Sequence, residues 1–282
     1  KVQAYRDQVR AMVLDLIDHA PLSLPVHWDN PWWAIVMGVE HERIHIETSS
    51  VLIRQQKLEW VQSQPDWPIC PDSGPAPQNS LVEVPQGHVR LGKPLDSERY
   101  GWDNEYGHHE ADVPGFEASR LLVSNGEFHA FVKAGGYAND AFWDDEGRRW
   151  RDFARAEHPT FWLRRGGSWF LRLMTQEVPM PWNWPVEVNC LEARAFCRWK
   201  SQECGQSVRL PTEDEWQRIL ATSDWQLSEA KPANANLYLE HWASSCPVDR
   251  FGHGPFCDAV GNVWQWTETP TFPFEDFEKH PI

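Results

Sequence analysis

His41 and His45 lie four residues apart in Met37-Gly38-Val39-Glu40-His41-Glu42-Arg43-Ile44-His45-Ile46-Glu47-Thr48-Ser49, a run with one glycine and no proline. On an α-helix that spacing sets the two imidazoles about 40° apart on one face, one turn above each other. Two imidazoles so placed can share one metal ion. Glu47 falls about 200° around the axis from His45, so it is expected to serve the helix or to back up a ligand, not to bind metal itself. Ile35, Val36, Val39, Ile44 and Ile46 make the segment apolar, which predicts a mostly buried helix. Buried imidazoles need partners, because an unpaired polar group costs free energy in an apolar setting. A metal would be one such partner; a carboxylate or a backbone carbonyl would be another. Glu42 either pairs with a neighbouring side chain or hydrogen-bonds a ligand imidazole from behind.

The elements that must position these residues are legible in part. Val9, Met12, Val13, Leu16 and Ile17 recur at three- and four-residue steps and predict an amphipathic first helix, broken by Pro21 and Pro25. Asn30-Pro31 starts the second helix, which carries the histidines and is expected to run to about Gln62. Residues 64–79 hold five prolines and no periodicity, as a linker or an ordered strap would. Beyond it, Leu81–Val84 and His88–Leu91 read as strands around Pro85-Gln86-Gly87. Helices are predicted from Ser124 to Lys133, from Asn189 to Gln202, and from Thr212, where Glu215 completes a capping box. The remainder reads as loop ordered by aromatic packing.

Composition excludes several functions. The chain has 282 residues, enough for a full core and two domains. Lys and Arg number 26 against 41 Asp and Glu, a net charge of -15 that repels nucleic acid and anionic lipid. No apolar run approaches the roughly 18 residues of a membrane span, and no signal segment is visible. Cys70, Cys190, Cys197, Cys204, Cys246 and Cys257 contain no Cys-x-x-Cys pair. Cys190, Cys197 and Cys204 share a helical stripe, too far apart for neighbouring disulfides, and read as buried thiols in a reducing cytoplasm. The 18 tryptophans point to many aromatic anchors and long ordered loops.

Leu81–Gly87, Val123-Ser124-Asn125-Gly126-Glu127-Phe128, Pro185-Val186-Glu187-Val188-Asn189, Arg209-Leu210-Pro211-Thr212-Glu213-Asp214-Glu215-Trp216 and Gly261-Asn262-Val263-Trp264-Gln265-Trp266-Thr267 resemble, in order, the formylglycine-generating-enzyme (sulfatase-modifying factor) domain. That domain implies a loop-rich, C-type-lectin-like fold. The same domain follows a DinB-like helical bundle in the non-haem iron sulfoxide synthases, and His41-x-x-x-His45-x-Glu47 resembles their iron motif. The resemblance therefore implies an α+β chain: a partial DinB-like bundle at 1–63, a Pro-rich linker at 64–80, and a lectin-like domain at 81–282 lacking its C-terminal part. Gly38–Thr48 is most similar to the ovothiol branch, the 5-histidylcysteine sulfoxide synthases, whose ergothioneine relatives carry a glutamine-rich version.

What the resemblance implies for function follows. The cofactor is Fe(II), held by His41, His45 and a third histidine expected before Lys1. The partners are cysteine, histidine and O2, joined as a sulfoxide by an oxidoreductase in the cytoplasm. The family's active-site tyrosine is expected near or beyond the end of the chain, so no catalytic residue is assigned. Arg43 and Ile44 are expected to face substrate, with Arg6 and Arg10 as further candidates for its carboxylates, and Glu42 and Glu47 to stand behind the ligands. Arg165-Gly166-Gly167-Ser168-Trp169 shares the letters of a late strand of the domain, but it lies where the synthases carry a tryptophan-rich loop. Three alternatives stay open: an ergothioneine-branch synthase acting on trimethylhistidine, a formylglycine-generating oxidase, and a non-enzymatic lectin-like binder.

Overall fold

Asn30 accepts a hydrogen bond from the backbone N–H of Trp32 at 2.9 Å, capping the helix that carries the histidines. The computed structural model describes residues 1–223, 234–275 and 277–280. Contacts divide the chain into two compact units, one of Lys1–Thr48, Arg90–Ala111 and Thr271–Ile282, the other of Ser49–Val89 and Asp112–Pro270. No helix among the described residues is long and apolar enough to cross a membrane.

The first unit contains α1 (Val2–His19) and the start of α2 (Trp32–Arg54). The amphipathic pattern of α1 is present, yet none of its residues is buried. Of its apolar stripe, Val13 and Leu16 are half-buried, while Val9, Met12 and Ile17 are exposed. α2 ends at Arg54, short of the expected Gln62, and only a 3-10 turn follows at Leu58–Trp60. Gln62 brings no cap, whereas Arg54 has a tertiary role that fixes the helix end. Its guanidinium donates to the carbonyl of Arg172, pairs with Glu187 and lies 3.7 Å over the Phe161 ring.

The second unit is mixed helix and sheet. β1 (Leu81–Val84) pairs antiparallel with β4 (Phe116–Ser119), while β2 (Gly87–Leu91) and β3 (His109–Val113), neither of which lies wholly within this unit, pair with each other. The two predicted strands thus exist but do not form a hairpin with each other. α3 (Asn125–Lys133) starts at Ser124, whose hydroxyl accepts from Glu127 N–H. Sequence reading missed α4 (Asp145–Ala154), a strongly charged helix with little apolar signal. It also missed the meander β5 (Trp162–Arg165), β6 (Ser168–Arg172), β7 (Glu177–Pro179). Gly166 and Gly167, at φ +55 and +86, form the two-residue turn between β5 and β6. α5 (Cys190–Cys204) and α6 (Glu213–Thr222) carry capping boxes at Asn189/Glu192 and Thr212/Glu215, as predicted for α6. The short ribbon β8 (Gly252–His253) and β9 (Phe256–Cys257) closes the order.

Aromatic side chains fill the core, with Phe128, Phe131, Trp162, Trp184, Phe196 and Trp199 in one cluster. Each buried indole N–H needs an acceptor. Trp162 donates to Asn125 Oδ1 at 3.2 Å, Trp143 to the Gly136 carbonyl at 2.9 Å and Trp184 to the Asp72 carbonyl at 2.8 Å. The last bond ties down the proline-rich segment, which is sewn into the second unit along its length. Gly74 N–H donates to Asn183 Oδ1, Cys70 N–H to Ser244 Oγ, and Asn79 exchanges bonds with Leu121. Cys204 is exposed, contrary to the buried stripe expected of it, because it closes the last turn of α5 beside Gly205. Phe128→Ala should cost about 3–5 kcal/mol, while Phe153→Ala, at a side chain 91% exposed, should leave stability unchanged. Urea denaturation of the two variants checks the contrast.

Candidate metal centre

The helix places His41 and His45 as the spacing requires: their ring centroids are 4.3 Å apart at 65°. Nitrogen–metal bonds of about 2.0–2.1 Å from each ring can converge on one ion across that gap. Trp102 stands beside them, 6.2 Å from His41 in an edge contact. It is distant in sequence and no local motif announces it. The burial expectation fails. His41 and His45 are exposed, as are Val39, Ile44 and Ile46, which have no apolar layer over them among the described residues.

The other predicted residues fall as follows. Arg43 pairs with Glu40 at 3.5 Å across one turn, so a substrate carboxylate would have to compete with a carboxylate already in place. Glu42 and Ile44 are exposed, and Glu47 is half-buried. Arg6 and Arg10 are exposed on α1. Among the described residues no group of three or more His, Cys, Asp or Glu is arranged to hold a metal ion. The donor set present therefore fits two positions of an imidazole-bound metal and does not by itself complete the three expected.

A second polar node lies under the Gly261–Thr267 motif. Asn262, at φ +65, donates to Asp258 Oδ2 at 2.8 Å and to the Cys246 carbonyl at 3.0 Å. Its Oδ1 accepts from Cys246 N–H at 2.9 Å. Asp258 is fully buried, and desolvation pushes its carboxyl up to about 7, the Asn262 bond opposing and Asp249 adding to the rise. The sequence offered the motif but not the buried acid beside it.

These elements define an α+β domain of the sulfatase-modifying-factor class. The chain belongs to the Sulfatase-modifying factor enzyme 1-like domain family, which it matches over residues 70–275. It is 29% identical to a hercynine oxygenase of Mycolicibacterium smegmatis, across 98% of this chain and 63% of that protein. To the hercynine oxygenase of Mycolicibacterium thermoresistibile it is 32% identical, across 95% of this chain and 59% of that protein. A formylglycine-generating enzyme of Mus musculus is 28% identical across 69% of this chain and 60% of that protein. The chain thus spans about three-fifths of the length of these curated relatives.

His41→Ala and His45→Ala should each abolish most metal binding, and Glu47→Ala should retain it, as read by metal analysis after dialysis. For Asp258 the folded carboxyl titrates above its unfolded value of about 3.9, so the folded state holds the extra proton between those limits. Stability should therefore fall as pH rises from about 4 to about 7 and level off above, by at most about 4 kcal/mol. Asp258→Asn should flatten that slope in denaturation curves taken across the range.

Proposed function

We propose that this chain is part of a non-haem iron(II), O2-dependent sulfoxide synthase that joins the sulfur of cysteine to C5 of histidine. The observation that carries the reading is one chain holding both the imidazole pair of α2 and a sulfatase-modifying-factor domain. The extent of the relatives supports it. Hercynine oxygenases match 95–98% of the chain, a span that includes α2, whereas the murine formylglycine-generating enzyme matches 69%. Residues 1–63 would then belong to a DinB-like bundle whose remaining helices supply the third histidine. Cover from those helices would also explain the apolar side chains now exposed on α1 and α2.

The chemistry balances as thiol plus imidazole C–H plus O2 giving sulfoxide plus water, one oxygen atom going to each product. Bound iron(II) would supply oxygen activation, with His41 and His45 as two of its ligands. The tasks left to the chain are binding and orientation. The α2 backbone fixes both imidazoles without a flexible loop, which keeps reacting groups in a reproducible geometry. Arg43, freed from Glu40, would offer a cation to a substrate carboxylate.

The formylglycine-generating reading needs reactive thiolates. Burial raises the thiols of Cys190, Cys246 and Cys257 and takes Cys197 up to about 11, so these are poor nucleophiles. Trimethylhistidine remains the second reading, because relatives similar over nearly the whole chain are hercynine oxygenases. Ile44 beside His45 argues for histidine, since it offers apolar surface where a glutamine could hydrogen-bond. Competition kinetics with iron-loaded full-length protein decide between them. Histidine should be preferred; a kcat/KM for trimethylhistidine about tenfold higher, or about 1.4 kcal/mol in transition-state binding, would move the protein to the ergothioneine branch.

A further inference from the structure

Trp102 lies outside the motif of the metal helix, yet the first unit is built to hold it beside that helix. It sits in residues 93–107, a loop closed at its base by Lys93. The backbone N–H of Lys93 donates to the Glu105 carbonyl at 2.9 Å, and that of Gly107 to the Lys93 carbonyl at 3.1 Å. The Lys93 ammonium then reaches across the loop, donating to the Tyr100 carbonyl at 2.6 Å and pairing with Glu105 at 3.3 Å. Gly101 leaves room for that reach, since a Cβ there would stand 2.7 Å from Lys93 Nζ and 3.1 Å from a Glu105 carboxylate oxygen. A 3-10 turn follows at Asp103–Glu105, where the Glu105 N–H donates to the Trp102 carbonyl at 3.0 Å. Trp102 is bracketed on both sides by fixed backbone.

The same loop is docked on α2 at a second point. Tyr100 packs against the buried ring of Trp33 near the start of the helix, centroids 5.5 Å apart. Further along the helix Trp102 meets His41 edge-on, at 6.2 Å and 70°. Trp102 is half-buried, whereas His41 and His45 are exposed. An exposed side chain on a helix samples several rotamers, and a shared metal can use only the one that turns His41 towards its partner. A ring held beside His41 by a pinned loop narrows that choice before any ion arrives.

We infer that Trp102 is a positioning residue of the metal centre: its indole, carried on the loop that Lys93 pins, holds the His41 imidazole in the orientation it shares with His45 on one ion. The inference rests on the metal reading of the imidazole pair. It gives Trp102 no bond to metal or substrate. An aromatic contact of this geometry should change metal affinity on the order of fivefold. It also makes the ion visible, because an open-shell metal bound so near an indole quenches its fluorescence.

Titration of the full chain with Ni(II), an ion suited to imidazole ligands, tests this by calorimetry and tryptophan fluorescence together. The parent chain should bind Ni(II) with a fall in emission, and His41→Ala should lose both. Trp102→Ala should bind at least about threefold more weakly than the parent, and Trp102→Phe within about twofold of it, since a phenyl ring restores the contact. Trp102→Phe should nevertheless lose most of the quenching, because the ion is bound and the indole beside it is gone. Its affinity and its emission decide the matter even where Trp102→Ala does not fold. A parent chain without Ni(II) binding that His41→Ala removes would overturn the metal reading and this inference with it. Where the parent binds, affinity for Trp102→Ala equal to the parent's, or quenching of Trp102→Phe as strong as the parent's, would overturn the role of Trp102 alone.

Discussion

An indole can be buried at little cost only when its N–H finds an acceptor, and the second unit is organised around that constraint. Its largest buried side chains are tryptophans, and their acceptors lie on loops and caps more than on sheets. Trp184 holds the Asp72 carbonyl, Trp143 holds Gly136 and Trp162 holds the side chain of Asn125 at the start of α3. Each such bond couples a core ring to a stretch of chain with no regular secondary structure of its own, or to a helix end. A domain with only short strands thereby gains defined loops, and loops are where this architecture can carry function.

The helix of the histidines obeys a different logic. Its N-terminus is set by Asn30 and its C-terminus by the buried Arg54, which is held by Arg172, Glu187 and Phe161. Between these anchors the backbone is regular, so the separation of His41 and His45 follows from helical geometry alone. The imidazole pair is thus positioned before any metal arrives, and a preset geometry reduces the ordering cost of binding. What the described residues do not supply is the cover. Val9, Met12 and Ile17 of α1, Val39, Ile44 and Ile46 of α2 and the two imidazoles are all exposed.

Much of this was readable from residue types and spacing, and the failures share a cause. Ser124, Asn189 and Thr212 announced their helices because a cap is a local hydrogen bond between near neighbours. The His41–His45 pair was readable for the same reason. Burial was not, since an apolar pattern shows which face wants cover and not whether a partner is there. Nor was α4 legible, because in ten mostly charged residues only Trp150, Phe153 and Ala154 are apolar, too few positions to fix a period. Trp102 beside His41, and the gathering of Trp28, Trp33, Tyr100, Tyr106 and His280, join segments far apart in the chain. No single-sequence pattern encodes such contacts. Asp258 illustrates the converse: its motif was visible, but its raised carboxyl depends on complete desolvation, which only packing determines.

The central claim is that this chain belongs to an enzyme that uses O2 to couple a thiol to an imidazole. The most direct test supplies iron-loaded full-length protein with cysteine, histidine and oxygen-18-labelled O2, and determines the product by mass spectrometry. The account predicts a cysteine–histidine sulfoxide bearing one labelled oxygen atom, with none incorporated when the label is in water. A product lacking the carbon–sulfur bond, or a coupled product whose oxygen comes from water, would contradict it.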